Sequence, residues 1–276
     1  MVNNNWIYDM ILYAYALSLL FYFSAAVGPN RSAKRMGTGL LAFVWLMQTV
    51  FLGYRAYVTN YLPVLTLFET VFLFVWLLVF VSLVMSWRMK ADMVVFVTNL
   101  AGFGILAVNL FSDSAVPASS GQWEAQDHLL FIHITLAIGS YVAFLFGAIF
   151  SIIYLYLHRQ LKGKAWSKLL TRFPSLDVVE YYTFRAVLIG APLLMLSLVL
   201  GLVKIGLEGE LRYMLDPKVL SSFILILAYV FYLVQRAAGN QPGYKLAKWN
   251  LAAFGLLLLN YVALNFLSRF HQWVWM

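Results

Sequence analysis

Apolar stretches about as long as a lipid bilayer is thick recur along this chain, and that recurrence limits its fold more than any other feature. A spanning helix needs about 20 mostly apolar residues. Eight candidates lie at roughly 6–27, 37–57, 65–87, 93–111, 128–157, 184–203, 219–235 and 250–267. The chain is 63% hydrophobic and only 11% charged, whereas soluble domains carry about 25% charged residues. A water-soluble globule is therefore excluded. The expectation is an all-α polytopic membrane helix bundle of eight transmembrane helices, a single integral membrane domain over 1–276 seated in a lipid bilayer. Met1 to Asn5 carry no basic side chain and no small-residue cleavage pattern follows the first apolar run, so that run reads as a retained helix, not a cleaved signal.

The formal charge is +8, but in so apolar a chain the distribution of cations informs on topology and no nucleic-acid partner is expected. The connections 1–2, 3–4, 5–6 and 7–8 hold most of the 19 Lys and Arg residues, among them Arg31, Lys34, Arg35, Arg159, Lys162, Lys164, Lys168, Arg172, Lys245 and Lys248. Arg55, Lys204, Arg212, Lys218 and Arg269 fall on the other side. By the positive-inside rule both termini then face outward. The outward stretch 112–127 has no Lys or Arg and contains Asp113, Glu124 and Asp127, which agrees with this orientation. The inner stretch 158–183 is basic and amphipathic, with Trp166, Leu169, Leu170 and Phe173 among its cations. It reads as an interfacial segment on anionic lipid or as a docking surface for a cytoplasmic partner.

No cysteine is present, which removes disulfides, thiolate metal sites and self-attachment of a c-type haem. Four histidines remain. His128 and His133 open the fifth span at its outer end, His271 follows the eighth span on the same side, and His158 lies at the inner end. His128 and His133 are about 140° apart around a helix, so they do not readily bind one metal together. One of them with His271 could meet opposite faces of a planar cofactor, and haem iron accepts axial histidine. Histidine and tryptophan also serve as interfacial anchors, and the tail His271-Gln-Trp-Val-Trp275 fits that role as well. Zinc would need completion by carboxylates such as Glu124 or Asp127. Arg55 and Glu69, separated by a tight connection, are positioned to pair between the second and third spans, and Asn260 and Asn265 to bond across helices.

Several strings resemble the cytochrome c assembly family of haem-handling membrane proteins, which includes CcsA/ResC and CcmC. Arg55 with Pro63 and Thr66-Leu-Phe-Glu69 resembles the family's entry to a helix. His128-Leu-Leu-Phe-Ile-His133, followed by Gly139-Ser-Tyr141 and Gly147, resembles its outer histidine helix. Leu176-Asp177, Tyr182, Arg185, Gly190 and Pro192 resemble the entry to the next span, and Asn265-Phe-Leu267 with His271 the family's end. The resemblance implies that His133 and His271 flank haem, here non-covalent haem b, as axial ligands, with His128 as the other candidate on the fifth span. Two departures stand out. Of the tryptophan-rich lyase motif only Asp216-Pro217-Lys218 survives, and the inner histidine of the lyases is replaced by Val234. That profile is similar to a divergent, haem-biosynthesis-associated branch of the family in Gram-positive bacteria. It implies a non-enzymatic haem-binding protein of the bacterial cytoplasmic membrane that lowers the amount of glutamyl-tRNA reductase. A haem lyase or haem delivery component of c-type cytochrome maturation is the alternative, and a cofactor-free membrane scaffold a third reading.

The charge distribution generates a direct test. A reporter that is active only when exported should be active when fused after Met276, and activity of a cytoplasmic reporter there would reverse the assigned side of every histidine.

Overall fold

The computed structural model describes residues 6–28, 30–59, 63–64, 66–88, 92–112, 128–164, 170, 173–207, 209, 211–239 and 241–267, the side chains of 59, 211 and 262–267 excepted. Eight helices follow in order among them: α1 (Trp6–Val27), α2 (Arg31–Thr59), α3 (Leu67–Arg88), α4 (Asp92–Asn109), α5 (His128–Lys162), α6 (Leu176–Leu207), α7 (Pro217–Ala237) and α8 (Gly243–Leu267), with a short 3-10 turn at Leu211–Leu215 between α6 and α7. The described residues contain no strand. Seven of these helices, α1 to α7, are long and apolar enough to cross a membrane. The described part of α8 carries Lys245 and Lys248 in its first two turns and does not reach the same apolarity.

Helices start earlier than the apolar runs where polar residues have a structural use. α6 begins at Leu176, not near 184, because Asp177, Glu180 and Arg185 occupy its first turns. Glu180 pairs with Arg236 at 3.0 Å, and the Arg185 guanidinium lies over the Tyr181 ring. α2 begins at Arg31 because Asn30 caps it, its side-chain oxygen accepting from the Ala33 amide at 3.0 Å, the usual role of Asn before a helix. α8 begins at Gly243, seven residues ahead of the apolar run, with Lys248 over Tyr244. α5 runs on to Lys162 and stops where Lys164 adopts a left-handed φ of 51°, so the connection from α5 to α6 is shorter than the stretch 158–183. Trp166, Leu169, Lys168 and Arg172 of that connection lie outside the described residues.

The chain divides into two compact units. In the first, α1 packs on α2 and α4, and α3 packs on α2 and α4. Tyr8, Tyr15 and Tyr22 recur every seventh residue of α1 and are all buried. A seven-residue step returns to nearly the same helix face, so the three rings enter the core in a row. Each hydroxyl finds a partner on a neighbouring helix: Tyr8 donates to the Leu106 carbonyl at 2.7 Å, Tyr15 to Asn99 Oδ1 at 2.9 Å, and Tyr22 lies 2.8 Å from Thr38 Oγ1. Gly102 makes the middle contact possible, since a Cβ there would lie 2.7 Å from the Tyr15 hydroxyl. Asn99 passes the bonding on to Ser82 at 2.9 Å.

At the Tyr8 end of this unit, where Arg55 lies over the Phe68 ring that packs on Tyr8, the Arg55 and Glu69 pairing forms. Arg55 Nε donates to Glu69 Oε1 at 2.8 Å, and the Glu69 side chain is 0% exposed. Its second oxygen accepts from the Thr66 amide at 3.2 Å while Thr66 Oγ1 accepts from the Glu69 amide at 3.2 Å. This reciprocal capping box starts α3. One carboxylate therefore fixes where α3 begins and ties it to α2.

In the second unit α5 packs on α6 and α8, and α7 packs on α6 and α8. Its centre is the parallel pair Phe144 and Tyr229, ring centroids 3.6 Å apart. Gly190 admits Phe144, because a Cβ there would sit 2.7 Å from the ring. Polar groups again bridge helices: Asn250 donates to Ser151 at 2.9 Å and Asn260 to Ser221 at 2.7 Å. The Asn265 side chain lies outside the described residues.

Replacing Arg55 by Ala removes the guanidinium from a fully buried carboxylate and is expected to cost about 3–5 kcal/mol. Glu69→Gln retains a capping side chain and should cost markedly less. Thermal unfolding of the purified protein in lipid nanodiscs measures both, and equal losses would refute the dual role of Glu69.

Candidate functional site

His128 and His133 sit on the first two turns of α5, and α5 holds them differently. His128 is the first helical residue and is exposed. His133 is half-buried against α6. Its Nδ1 lies 2.6 Å from the Ser197 carbonyl oxygen and 3.1 Å from the Ser197 hydroxyl, and that hydroxyl donates to the His133 carbonyl at 2.9 Å. One turn further along α6, Gly201 leaves room for the ring. A Cβ there would be 3.0 Å from Cε1 and 3.2 Å from Nδ1 of His133. All hydrogen bonds to this imidazole among the described residues fall on Nδ1, and Nε2 takes none.

The start of α7 lies at the same end of the unit. Asp216 is its N-cap, accepting from the Lys218 amide at 2.9 Å, with Pro217 at the first helical position. This is the favoured way to begin a helix. It gives a physical reason for Asp216-Pro217-Lys218 to stand without the surrounding tryptophans: the triplet is a helix start. Lys218 is half-buried, and its ammonium is close enough to act electrostatically on His133. Ser221 and Ser222 both donate to the Lys218 carbonyl, at 2.9 and 2.8 Å, and both accept from Asn260 of α8. A side-chain imidazole, a cation and a hydroxyl pair are thus set by α5, α7 and α8 at one end of the second unit.

Among the described residues no three His, Asp or Glu side chains gather as a metal site. The metal-ligand chemistry available there is that of a single imidazole with one nitrogen held and the other open. That arrangement suits axial ligation of haem iron, in which a ligating histidine gives its second nitrogen to a carbonyl or carboxylate. His271 lies outside the described residues. The structure therefore distinguishes His133 from His128 by environment without bringing the expected second ligand into view.

His158 has a different setting at the far end of α5. Its ring stacks with Tyr154 at 6.2 Å and Tyr244 at 5.3 Å between centroids, close to the Glu180 and Arg236 pair that joins α6 to α7. Gly243 belongs to the same cluster, since a Cβ there would collide with Tyr154 Oη and Glu180 Oε2. This end is a packed junction of four helices.

Ser197 and Gly201 were not anticipated from the sequence. Their one visible signal is spacing: two small residues four apart share a helix face and allow another group to approach closely.

A family model described as cytochrome C assembly protein matches residues 64–271. HemX of Brevibacillus brevis is 40% identical over 274 residues, covering 99% of this chain and 100% of the relative. HemX of Bacillus subtilis (strain 168) is 40% identical over 257 residues, covering 93% of each. The cytochrome c biogenesis protein CcsA of Guillardia theta is similar at 22% identity over 285 residues, covering 94% of this chain and 93% of that one. With its apolar helices and a family match that spans His128, His133, the Asp216 triplet and His271, this multi-pass membrane protein belongs to the cytochrome c assembly protein family.

Proposed function

We propose that this chain is a non-enzymatic haem-binding protein of the bacterial cytoplasmic membrane that lowers the amount of glutamyl-tRNA reductase, with eight spans and both termini outside. The observation that carries the reading is the near-full-length 40% identity to HemX proteins, joined to the His133 imidazole, whose Nε2 takes no hydrogen bond among the described residues. His133, through Nε2, and His271 would be the residues that hold haem b, which would supply the iron that imidazoles ligate. His128 is exposed and serves as interfacial polarity at the mouth of the site. Lys218 is a half-buried cation at that end suited to a haem propionate, by charge complementarity across a partly desolvated region.

The regulatory output requires that occupancy favour one helix arrangement over another, because a ligand shifts an equilibrium only through differential affinity. α5 connects the two ends. It begins beside His133 and contains no proline through Lys162, and it leads into the basic inner connection proposed to face a cytoplasmic partner.

A second reading, haem delivery for c-type cytochrome maturation, is favoured by the similarity to CcsA. The loss of the tryptophan-rich motif weighs against it, since only Asp216-Pro217-Lys218 remains and those residues serve to start α7.

Purified protein reconstituted with haem should be six-coordinate and low-spin when reduced, since imidazoles would occupy both axial positions. His133→Ala and His271→Ala should each give a five-coordinate or weakly held form, while His128→Ala and His158→Ala leave the spectrum intact. In cells, His133→Ala should raise glutamyl-tRNA reductase abundance as deletion does, with c-type cytochromes unchanged. Retention of the wild-type spectrum by His133→Ala would remove that ligand. Loss of c-type cytochromes on deletion would favour the delivery reading.

A further inference from the structure

Proton accounting around His133 goes beyond its identification as a ligand. Two oxygens face Nδ1: the Ser197 carbonyl at 2.6 Å and the Ser197 hydroxyl at 3.1 Å. A carbonyl only accepts, and a hydroxyl has a single proton to donate. That proton is directed to the His133 carbonyl oxygen at 2.9 Å. Neither oxygen therefore offers a hydrogen to Nδ1, and a neutral imidazole with a bare Nδ1 would set its lone pair against two acceptors. Nδ1 must carry the hydrogen. Gly201 completes the arrangement, because a Cβ there would stand 3.0 Å from Cε1 and 3.2 Å from Nδ1 and would push the ring from the carbonyl.

We propose that Ser197 and Gly201 are positioning residues that hold His133 as its Nδ1–H tautomer, so that Nε2 is the nitrogen presented to a metal before any metal arrives. The Ser197 main-chain carbonyl sets the tautomer, its hydroxyl fastens α6 to the main chain of α5, and Gly201 keeps the ring's path clear. What Nε2 ligates rests on the haem-binding reading. The tautomer does not, since it is a property of the protein without haem. A ring held in this way loses less orientational freedom on ligation and is a stronger donor through the opposite nitrogen.

The test is nitrogen-15 NMR of histidine-labelled, haem-free protein in lipid nanodiscs at about pH 8.5, two units above the ordinary histidine pKa of about 6.5, with the His133 signals identified by their loss in His133→Ala. Nδ1 should appear as a protonated, pyrrole-type nitrogen and Nε2 as a bare, pyridine-type one, and the reverse pattern overturns the proposal. Gly201→Ala should lose the pattern and weaken haem binding about 10- to 100-fold, the usual effect of disturbing the group behind a metal ligand. Gly206→Ala, on the same helix but with nothing within 4 Å of the added Cβ, should change neither. Gly201→Ala with tautomer and affinity both intact refutes the cradle. Ser197→Ala keeps the main-chain carbonyl and should keep the tautomer, so a switch to Nε2–H in that variant would make the hydroxyl the controlling group and overturn the assignment to the carbonyl. Wild-type protein with the expected tautomer but no haem binding would sink the haem reading and leave the positioning role standing.

Discussion

Hydrocarbon supplies no hydrogen-bond partner, so a polar side chain placed inside it must be satisfied by another helix. The described residues meet that demand by pairing across helices. Tyr8, Tyr15 and Tyr22 bind α1 to α4 and α2, and Asn99 continues the bonding to α3. Asn250 and Asn260 join α8 to α5 and α7. Individually such bonds contribute only about 1 kcal/mol. Their collective effect is on register: sliding α1 by one residue would remove three hydroxyls from their acceptors together, whereas purely apolar faces would tolerate the slip. Gln48, Thr98 and Tyr229 are exceptions, each fully buried with its side-chain polar atoms without a hydrogen bond among the described residues, and nothing in the structure explains them.

The same economy shapes the charged groups. Glu69 neutralises Arg55 with one oxygen and caps α3 with the other. Asp216 starts α7 while lying beside the Lys218 charge. Glu180 joins α6 to α7 through Arg236 and reaches the first turn of α8 at Gly243. Glu69 and Glu180 each touch more than one helix, so single substitutions there act on several elements at once.

The positions of the helices were legible in the sequence because hydropathy registers length and apolarity. Their true starts were not, wherever charged residues such as Asp177, Glu180 and Arg185 extend a helix past its apolar run and find partners only in three dimensions. The pairing of Arg55 with Glu69 could be read from an ionisable residue within a span. His133 could be separated from His128 by resemblance, and the physical difference between them appears only when α6 is set against α5. Ser197 is an ordinary serine in the sequence, since the feature that matters is its main-chain carbonyl, which every residue has. The second expected ligand, His271, lies outside the described residues.

Pro192 sets α6 apart from α5. It stands five residues before Ser197 in the middle of α6, where the missing N–H leaves the Leu188 carbonyl without its helical donor and softens the helix against bending. α5 has no such joint. His133 Nδ1 and the Ser197 carbonyl join the two helices, yet α5 runs 35 residues without proline, whereas α6 is interrupted at Pro192 above first turns held by Glu180 and Arg236. A displacement at His133 would therefore be carried along α5 toward its far end and absorbed near Pro192 by α6, leaving the Glu180 and Arg236 junction in place.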